Sequence, residues 1–148
     1  MRRIGHFAAV AWAVIWIVGT HAVVGLLHGI SHVILEVVPS AADIAFIVIV
    51  IGIVPIGLLP FVLRGSRAGV GVFALAFAAS WLYGMLNHFL LEGADHVPGL
   101  DHGVWQAMFT VTGAMILGLE VAGTLLAVWL FWQANTSRLR SAPAKKSA

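Results

Sequence analysis

Residues 87–102, NHFLLEGADHVPGLDH, place three histidines and three carboxylates within sixteen positions. The rest of the chain is poor in charge, because only 9% of its 148 residues are Asp, Glu, Lys or Arg, against about a quarter in ordinary globular chains. Imidazole and carboxylate groups are ligands for divalent transition metals. The segment therefore predicts a metal-binding site.

A related pattern occurs earlier, at residues 31–43, SHVILEVVPSAAD. Both segments have a polar residue, then His-x-x-Leu-Glu, then Val-Pro and an aspartate. The aligned pairs are His32 with His88, Glu36 with Glu92, and Asp43 with Asp101. We interpret the match as an internal repeat that relates two helical hairpins by an axis along the membrane normal, with chance similarity between apolar sequences as the alternative.

Residues four apart on a helix project from the same face. His32 and Glu36 should then point together, as should His88 and Glu92, and His28 lies one turn below His32. The predicted metal ligands are His28, His32, Glu36, His88 and Glu92. Ser31 and Asn87 are expected to orient the imidazoles through hydrogen bonds. The alternative is a hydrogen-bond network that only locks the helices together.

This ligand set suits Zn, Fe, Ni, Cu or Mn and does not distinguish among them. Further groups nearby could bind a second metal or form an access route for one. They are Asp43, Asp95, His96, Asp101 and His102. For the two histidines of this group, the alternative is an ordinary solvated loop position.

The stretch His96-Val97-Pro98-Gly99-Leu100-Asp101-His102 resembles a signature of hydrogenase- and urease-accessory nickel permeases, histidine–proline–x–glycine–x–aspartate–histidine. It covers seven residues, and here Val97 separates the histidine from the proline. Those permeases carry metal across a membrane, so the resemblance implies a role in metal transport or supply.

Four apolar stretches, at about 7–35, 41–63, 68–91 and 104–133, are long enough to cross a bilayer. They predict an all-α integral membrane protein, a four-transmembrane-helix bundle built from hairpins 1-2 and 3-4. Residues 1–134 would form one membrane domain, and 135–148 a disordered cytoplasmic tail. The first span follows MRRIGHF and is too long for a signal-peptide core, so we expect it to remain uncleaved.

All eight Lys and Arg residues fall on one side of this topology. The positive-inside rule makes that side cytoplasmic, which predicts a multi-pass protein of the cytoplasmic (inner) membrane with both termini inside. The outer side is acidic and rich in histidine. The chain has no cysteine, which excludes disulfides and thiolate metal sites.

Two ionisable residues lie near the middle of their spans, His21 in span 1 and Glu120 in span 4. Ionisable groups at this depth are costly and are candidates for function. From position alone we expect them to pair as a midplane ion or proton relay. A purely structural hydrogen bond between spans is the alternative.

Three functions fit these residues. The first is transport or supply of a divalent transition metal. The second is a b-type haem cytochrome that exchanges electrons with quinone, with axial ligands among His28, His32 and His88. The third is a membrane metalloenzyme, an oxidoreductase or hydrolase, in which a histidine and carboxylate site activates water or oxygen.

The sequence contains no nucleophile motif or phosphate-binding loop, so no catalytic residue can be assigned and enzyme status stays open. The expected partners are the lipid bilayer and the metal ion, and nothing points to nucleic acid. A single subunit of four spans leaves little room for a transport pathway, which favours a homo-oligomer.

Overall fold

The computed structural model describes the backbone of residues 2–93, 95–97 and 103–141, and the side chains of 9–93, 95–97 and 103–136. The described part contains only helices and connections, without strands. The helices are α1 (Arg2–Ile34), α2 (Ala41–Phe46), a π-helical segment (Ile47–Ile53), α3 (Val54–Leu63), α4 (Arg67–Met85), a second π-helical segment (Leu86–Leu90) and α5 (Val104–Ser141).

Four helical spans are long and apolar enough to cross a membrane, which confirms that prediction. They are Ala9–Ile34, Ala41–Leu63, Arg67–Leu90 and Val104–Thr136. Many large apolar side chains on them are exposed, such as Val33 at 77% and Leu75 at 72%. Exposed apolar patches of this extent are unfavourable in water and suit contact with lipid.

The second span is continuous but irregular, because α2, the first π-helical segment and α3 follow one another without a break. Pro55 lies at the start of α3 and Pro60 lies inside it. Proline lacks a backbone N–H, so it frees a carbonyl of the preceding turn and disturbs regular α-helical bonding. The π-helical turns stand directly before the first of these prolines.

Helix α5 packs against both α1 and α4, and the second span contacts α4 more extensively than it contacts α1. The second span therefore lies less closely against the first span than α5 does. The predicted division into hairpins 1-2 and 3-4, and the placement of both termini on one side, stay predictions.

The two halves of the bundle differ in content. Near the turn between α3 and α4, an apolar core forms from Val14, Val18, Val62, Val70, Phe73, Phe77 and Ala127. We call this the arginine end, after Arg64 and Arg67 at that turn. The opposite end, where the chain connects α1 to α2 and leads from Leu90 to α5, is the histidine end. Apolar packing thus stabilises the arginine end, whereas polar side chains are buried toward the histidine end.

Candidate metal centre

Three histidines converge at the histidine end. His28 and His32 lie one turn apart on α1, and His88 lies in the π-helical segment that follows α4. One ring nitrogen from each lies within 4.8 Å of those of the other two. We call this group the histidine triad. The sequence predicted all three residues as ligands, and the structure brings them together.

Nε2 of His28 lies 3.3 Å from Nε2 of His88. Zinc–imidazole bonds of about 2.0–2.1 Å in tetrahedral geometry place two ligand nitrogens about 3.3–3.4 Å apart. The observed separation therefore matches two nitrogens that share one tetrahedral ion.

The other ring nitrogens face hydrogen-bond acceptors. Nδ1 of His32 donates to the carbonyl of Val37 at 3.4 Å, and Nδ1 of His88 donates to the carbonyl of Asp95 at 3.3 Å. A carbonyl oxygen can only accept, so these nitrogens carry the protons. In a neutral imidazole the Nε2 atom is then left with a free lone pair.

His28 is fixed in the same way by a side chain on α5. Its Nδ1 lies 3.0 Å from the hydroxyl of Thr112, which itself donates to the carbonyl of Met108 at 2.6 Å. The hydroxyl therefore accepts from His28. In this tautomer the Nε2 lone pairs of His28 and His88 face each other at 3.3 Å, an arrangement that a cation between them would stabilise.

Phe109 forms one wall of the triad. This residue on α5 is fully buried, and its ring centroid lies 4.5 Å from that of His28, 4.8 Å from His32 and 5.1 Å from His88. One turn away, Gly113 faces His28, and a Cβ there would lie 3.3 Å from the His28 ring. The small residue gives the imidazole its room, and the aromatic ring limits its movement.

Glu36 does not join the triad. Helix α1 ends at Ile34, and Glu36 adopts a left-handed backbone with φ 54°. The N–H of Glu36 bonds to the carbonyl of Val33, and that of Val37 bonds to the carbonyl of His32. These bonds form a Schellman motif. Because the chain turns away, Glu36 is exposed and does not stack above His32 as the four-residue spacing predicted.

Glu92 is displaced for a similar reason. The second π-helical segment ends at Leu90, and Leu91 is extended, with φ −99° and ψ 134°. Glu92 is therefore exposed beyond the helix and lies outside the triad. The described ligand set is histidine alone, without the two carboxylates that the sequence suggested.

The expected orienting roles of Ser31 and Asn87 are also corrected. Ser31 donates to the carbonyl of Leu27, and Asn87 donates to the carbonyl of Tyr83. Both bond to the preceding turn of their own helix, as such side chains commonly do. The imidazoles are oriented by Thr112 and by two backbone carbonyls.

An acidic pocket of about 200 Å³ lies beside the triad, between the two connections at the histidine end. Asp43, Glu92 and Asp95 line it. Asp43 is held by the capping box at the start of α2, where its carboxylate accepts from Ser40. The pocket shares Asp95 with the site, because the backbone of Asp95 anchors His88. It would attract cations to this end of the molecule.

His96 is partly buried in the connection before α5 and is not part of the triad. Asp101 and His102 lie outside the described residues, as do Pro98 to Leu100 of the permease-like stretch.

A cavity of about 230 Å³ extends from the triad toward the middle of the bundle. All three histidines line the part of the cavity at the histidine end, and Ser80 and Glu120 line its base near the middle of the bundle. Most of the wall between them is apolar, from the second span and α5. Along α4, the packed rings of Phe73 and Phe77 follow below Ser80, so the cavity ends above the apolar core.

Glu120 lines the base of this cavity and contacts His21. Nε2 of His21 lies 3.3 Å from Oε1 of Glu120, and both side chains are buried. The predicted contact between them is therefore present. The His21 ring also packs on Phe77, with centroids 5.2 Å apart, which connects the pair to the apolar core.

Sequence reasoning missed Thr112, Phe109 and Gly113 as parts of the site. All three lie on α5, in a stretch that also contains the polar residues Gln106 and Thr110, which are not part of the triad. The sequence indicates only that these three residues share one face of the helix and that one of them carries a hydroxyl group. Such a pattern is common in membrane helices, so it does not identify a metal site without the tertiary contacts.

Searches of protein-family models, curated proteins and solved structures gave no match to this chain.

Proposed function

We propose that this protein binds one divalent transition metal ion at the histidine triad and serves metal transport or supply. The observation that carries the proposal is the convergence of His28, His32 and His88, with each Nδ1 occupied by an acceptor. This arrangement prepares three neutral ligands before the ion arrives. Imidazole ligands suit zinc, copper, iron and nickel.

Charge distribution supports entry of the ion from the histidine end. The acidic pocket holds three carboxylates at that end, while Arg64 and Arg67 lie at the other end of the spans. The positive-inside rule then places the arginine end in the cytoplasm. The triad would accept a metal ion from the outer side of a cytoplasmic membrane.

The packing of the rings is unfavourable for a b-type haem. In a bis-histidine haem the planar macrocycle lies between the two axial rings. Here the rings of His28 and His88 contact each other, with centroids 5.1 Å apart, and Phe109 packs on both. A macrocycle would have to displace this packing. A single ion fits the same space without rearrangement.

A membrane metalloenzyme is the second candidate. Three protein ligands leave one position of a tetrahedral ion open, as in catalytic zinc sites, and the cavity lies beside the triad. Ester hydrolysis by the zinc-loaded protein, lost in His88→Ala, would support this candidate over transport or supply. A zinc-loaded protein that hydrolyses no faster than zinc in detergent would exclude hydrolysis of such esters.

The central test is metal binding by the purified protein in detergent. We expect elemental analysis and a competitive zinc titration to give one tightly bound ion per chain. His88→Ala should weaken binding about 100-fold or more, because even orienting partners contribute about 10–100-fold. His96→Ala is the matched control, since His96 lies in the adjacent connection but outside the triad, and it should bind as the wild type does.

The proposal fails if the wild-type protein binds no metal above background. It also fails if His88→Ala and His96→Ala bind equally well, because the ion would then lie elsewhere. Cobalt substitution provides a spectroscopic check on the ligands. A tetrahedral cobalt spectrum that is present in the wild type and lost in His28→Ala would identify the triad directly.

A further inference from the structure

Among the acidic residues that the structure describes, Glu120 is the one that lies deep within a span, far from the connections. It is only 1% exposed, and its Oε1 atom faces His21. Its other oxygen, Oε2, is buried without a hydrogen-bond partner among the described residues. An unsatisfied polar atom in an apolar interior is costly and calls for an explanation.

Beside His21, the buried carboxyl of Glu120 is best accommodated as a neutral carboxylic acid. Separating charge within such a pair requires desolvation of both ions, which commonly exceeds the gain from their attraction. The pair can nevertheless lose the carboxyl proton, and it then carries one negative charge. Its stable form in this interior depends on whether a positive charge is nearby.

Metal binding at the triad would supply that positive charge. Three neutral imidazoles contribute no negative charge to a divalent ion. The carboxylates beside the triad, those of Asp43, Glu92 and Asp95, line the acidic pocket at the histidine end and are not among the ligands. His28 lies seven positions after His21 on α1, which is roughly 10 Å along the helix axis. Charges at that distance interact strongly in a medium of low dielectric.

The cavity gives the two sites a common interior. The titratable groups that line it are His28, His32, His88, Tyr83 and Glu120. The second span contributes only Ile44, Ile47, Val48 and Ile51 to this wall, and Pro39 belongs to the connection before it. Helix α4 contributes Ser80 near the base of the cavity. Of the described groups that line the cavity, Glu120 is the only carboxylic acid, and a carboxylic acid loses its proton far more readily than the Tyr83 phenol does.

We infer that the His21–Glu120 pair is a proton site coupled to the histidine triad: binding of a divalent metal expels the carboxyl proton of Glu120, and reprotonation of Glu120 favours metal release. The inference rests on the proposed metal site. The exchange involves one metal ion and one proton. As the ion enters the triad, the carboxylic acid of Glu120 becomes a carboxylate, and its proton leaves through the cavity. An exchange of this kind would link metal movement to a proton gradient.

The test counts protons released per zinc ion bound, using purified protein in weakly buffered detergent solution with a pH indicator. The wild type should release about one proton more than Glu120→Gln, which has no carboxyl proton to lose. Glu120→Asp should restore the release. Glu36→Gln is the matched control, because Glu36 is an exposed acid outside both the triad and the acidic pocket, and it should release as many protons per zinc ion as the wild type.

The same coupling must appear in the pH dependence of binding. The slope of log Kd against pH should be steeper by about one proton in the wild type than in Glu120→Gln. A third measurement needs no variant. The zinc-minus-apo infrared difference spectrum of the wild type should lose the C=O band of a buried carboxylic acid and gain carboxylate bands.

The outcomes separate the two proposals. If no zinc binds, the metal site and the coupling both fail. If zinc binds with equal proton release in the wild type and Glu120→Gln, the coupling is overturned and the metal site stands. A second zinc ion that is present in the wild type and absent in Glu120→Gln would overturn the coupling in favour of a second metal site. An unchanged carboxylic acid band on zinc binding would also overturn it.

Discussion

Thr112 connects His28 to the backbone of α5. Its hydroxyl accepts a hydrogen bond from Nδ1 of His28 at 3.0 Å and donates one to the carbonyl of Met108 at 2.6 Å. Since the hydroxyl proton is already committed to the carbonyl, the contact holds a proton on Nδ1 and leaves the Nε2 lone pair free. The threonine thereby selects the imidazole tautomer that can bind a metal.

Thr112→Val should therefore weaken zinc binding about 10–100-fold, the range found for partners that orient metal ligands. Valine has nearly the same shape, so the packing beside Phe109 should be preserved. A competitive titration against a chelating dye measures the change.

Thr112→Ser keeps the hydroxyl and should bind zinc nearly as well as the wild type. Thr110→Val is the matched control, because the Thr110 hydroxyl donates to the carbonyl of Gln106 on its own helix and Thr110 is not part of the triad. Wild-type affinity in Thr112→Val would show that the hydroxyl does not orient His28.

The exposed glutamates should affect the rate of zinc binding more than its strength. Glu36→Gln and Glu92→Gln each remove a charge near the histidine end without removing a ligand. Charges near a site accelerate encounter with an oppositely charged ligand, and salt screens them.

We therefore expect each variant to change the zinc dissociation constant by less than about threefold, with slower association in stopped-flow measurements at low salt. At high salt the variants and the wild type should associate at similar rates. A loss of affinity comparable to that of His88→Ala would mean that a glutamate is a ligand after all.

The four spans could be predicted from the sequence because they rest on the length and hydropathy of apolar runs. The predicted span 41–63 coincides with Ala41–Leu63, and the others begin or end within a few residues of the observed helices. The one-sided basic residues are another strong regularity, although they predict orientation only. These features depend on composition along the chain, which a single sequence displays directly.

The ligand set was predicted only in part. His28 and His32 both lie within α1, so helical spacing predicts their common face correctly, whereas Glu36 lies beyond the helix end. That end is set by a left-handed residue and its two backbone bonds. Glutamate is not the residue type that normally marks such a turn, so the four-residue spacing predicts a ligand where the helix has already ended.

A close contact between α5 and α4 provides a test of the fold. Gly123 on α5 packs against Phe77 on α4, and a Cβ at position 123 would lie 2.5 Å from Cδ1 of the ring. Small residues permit such close approach of helices in membranes. Gly123→Ala should destabilise the protein by about 1–3 kcal/mol, the range for overpacked interiors, seen as a lower thermal midpoint in detergent.

Gly118→Ala is the control on the same helix, because nothing lies within 4 Å of the Cβ that it would add. Alanine is favoured over glycine in a helix by up to about 1 kcal/mol, so this variant should be neutral or slightly stabilised. Equal loss of stability in both variants would indicate a general effect of alanine on α5 and would contradict the close contact with Phe77.

The proposed orientation can be tested because the chain has no cysteine. Ala42 and Ala68 are both exposed alanines in the first turn of a helix, at opposite ends of the spans. A membrane-impermeant maleimide should label Ala42→Cys in intact cells and leave Ala68→Cys unlabelled until the membrane is permeabilised. This pattern follows from a cytoplasmic arginine end. The reverse pattern would place the triad on the cytoplasmic side, and metal supply would then have to begin inside the cell.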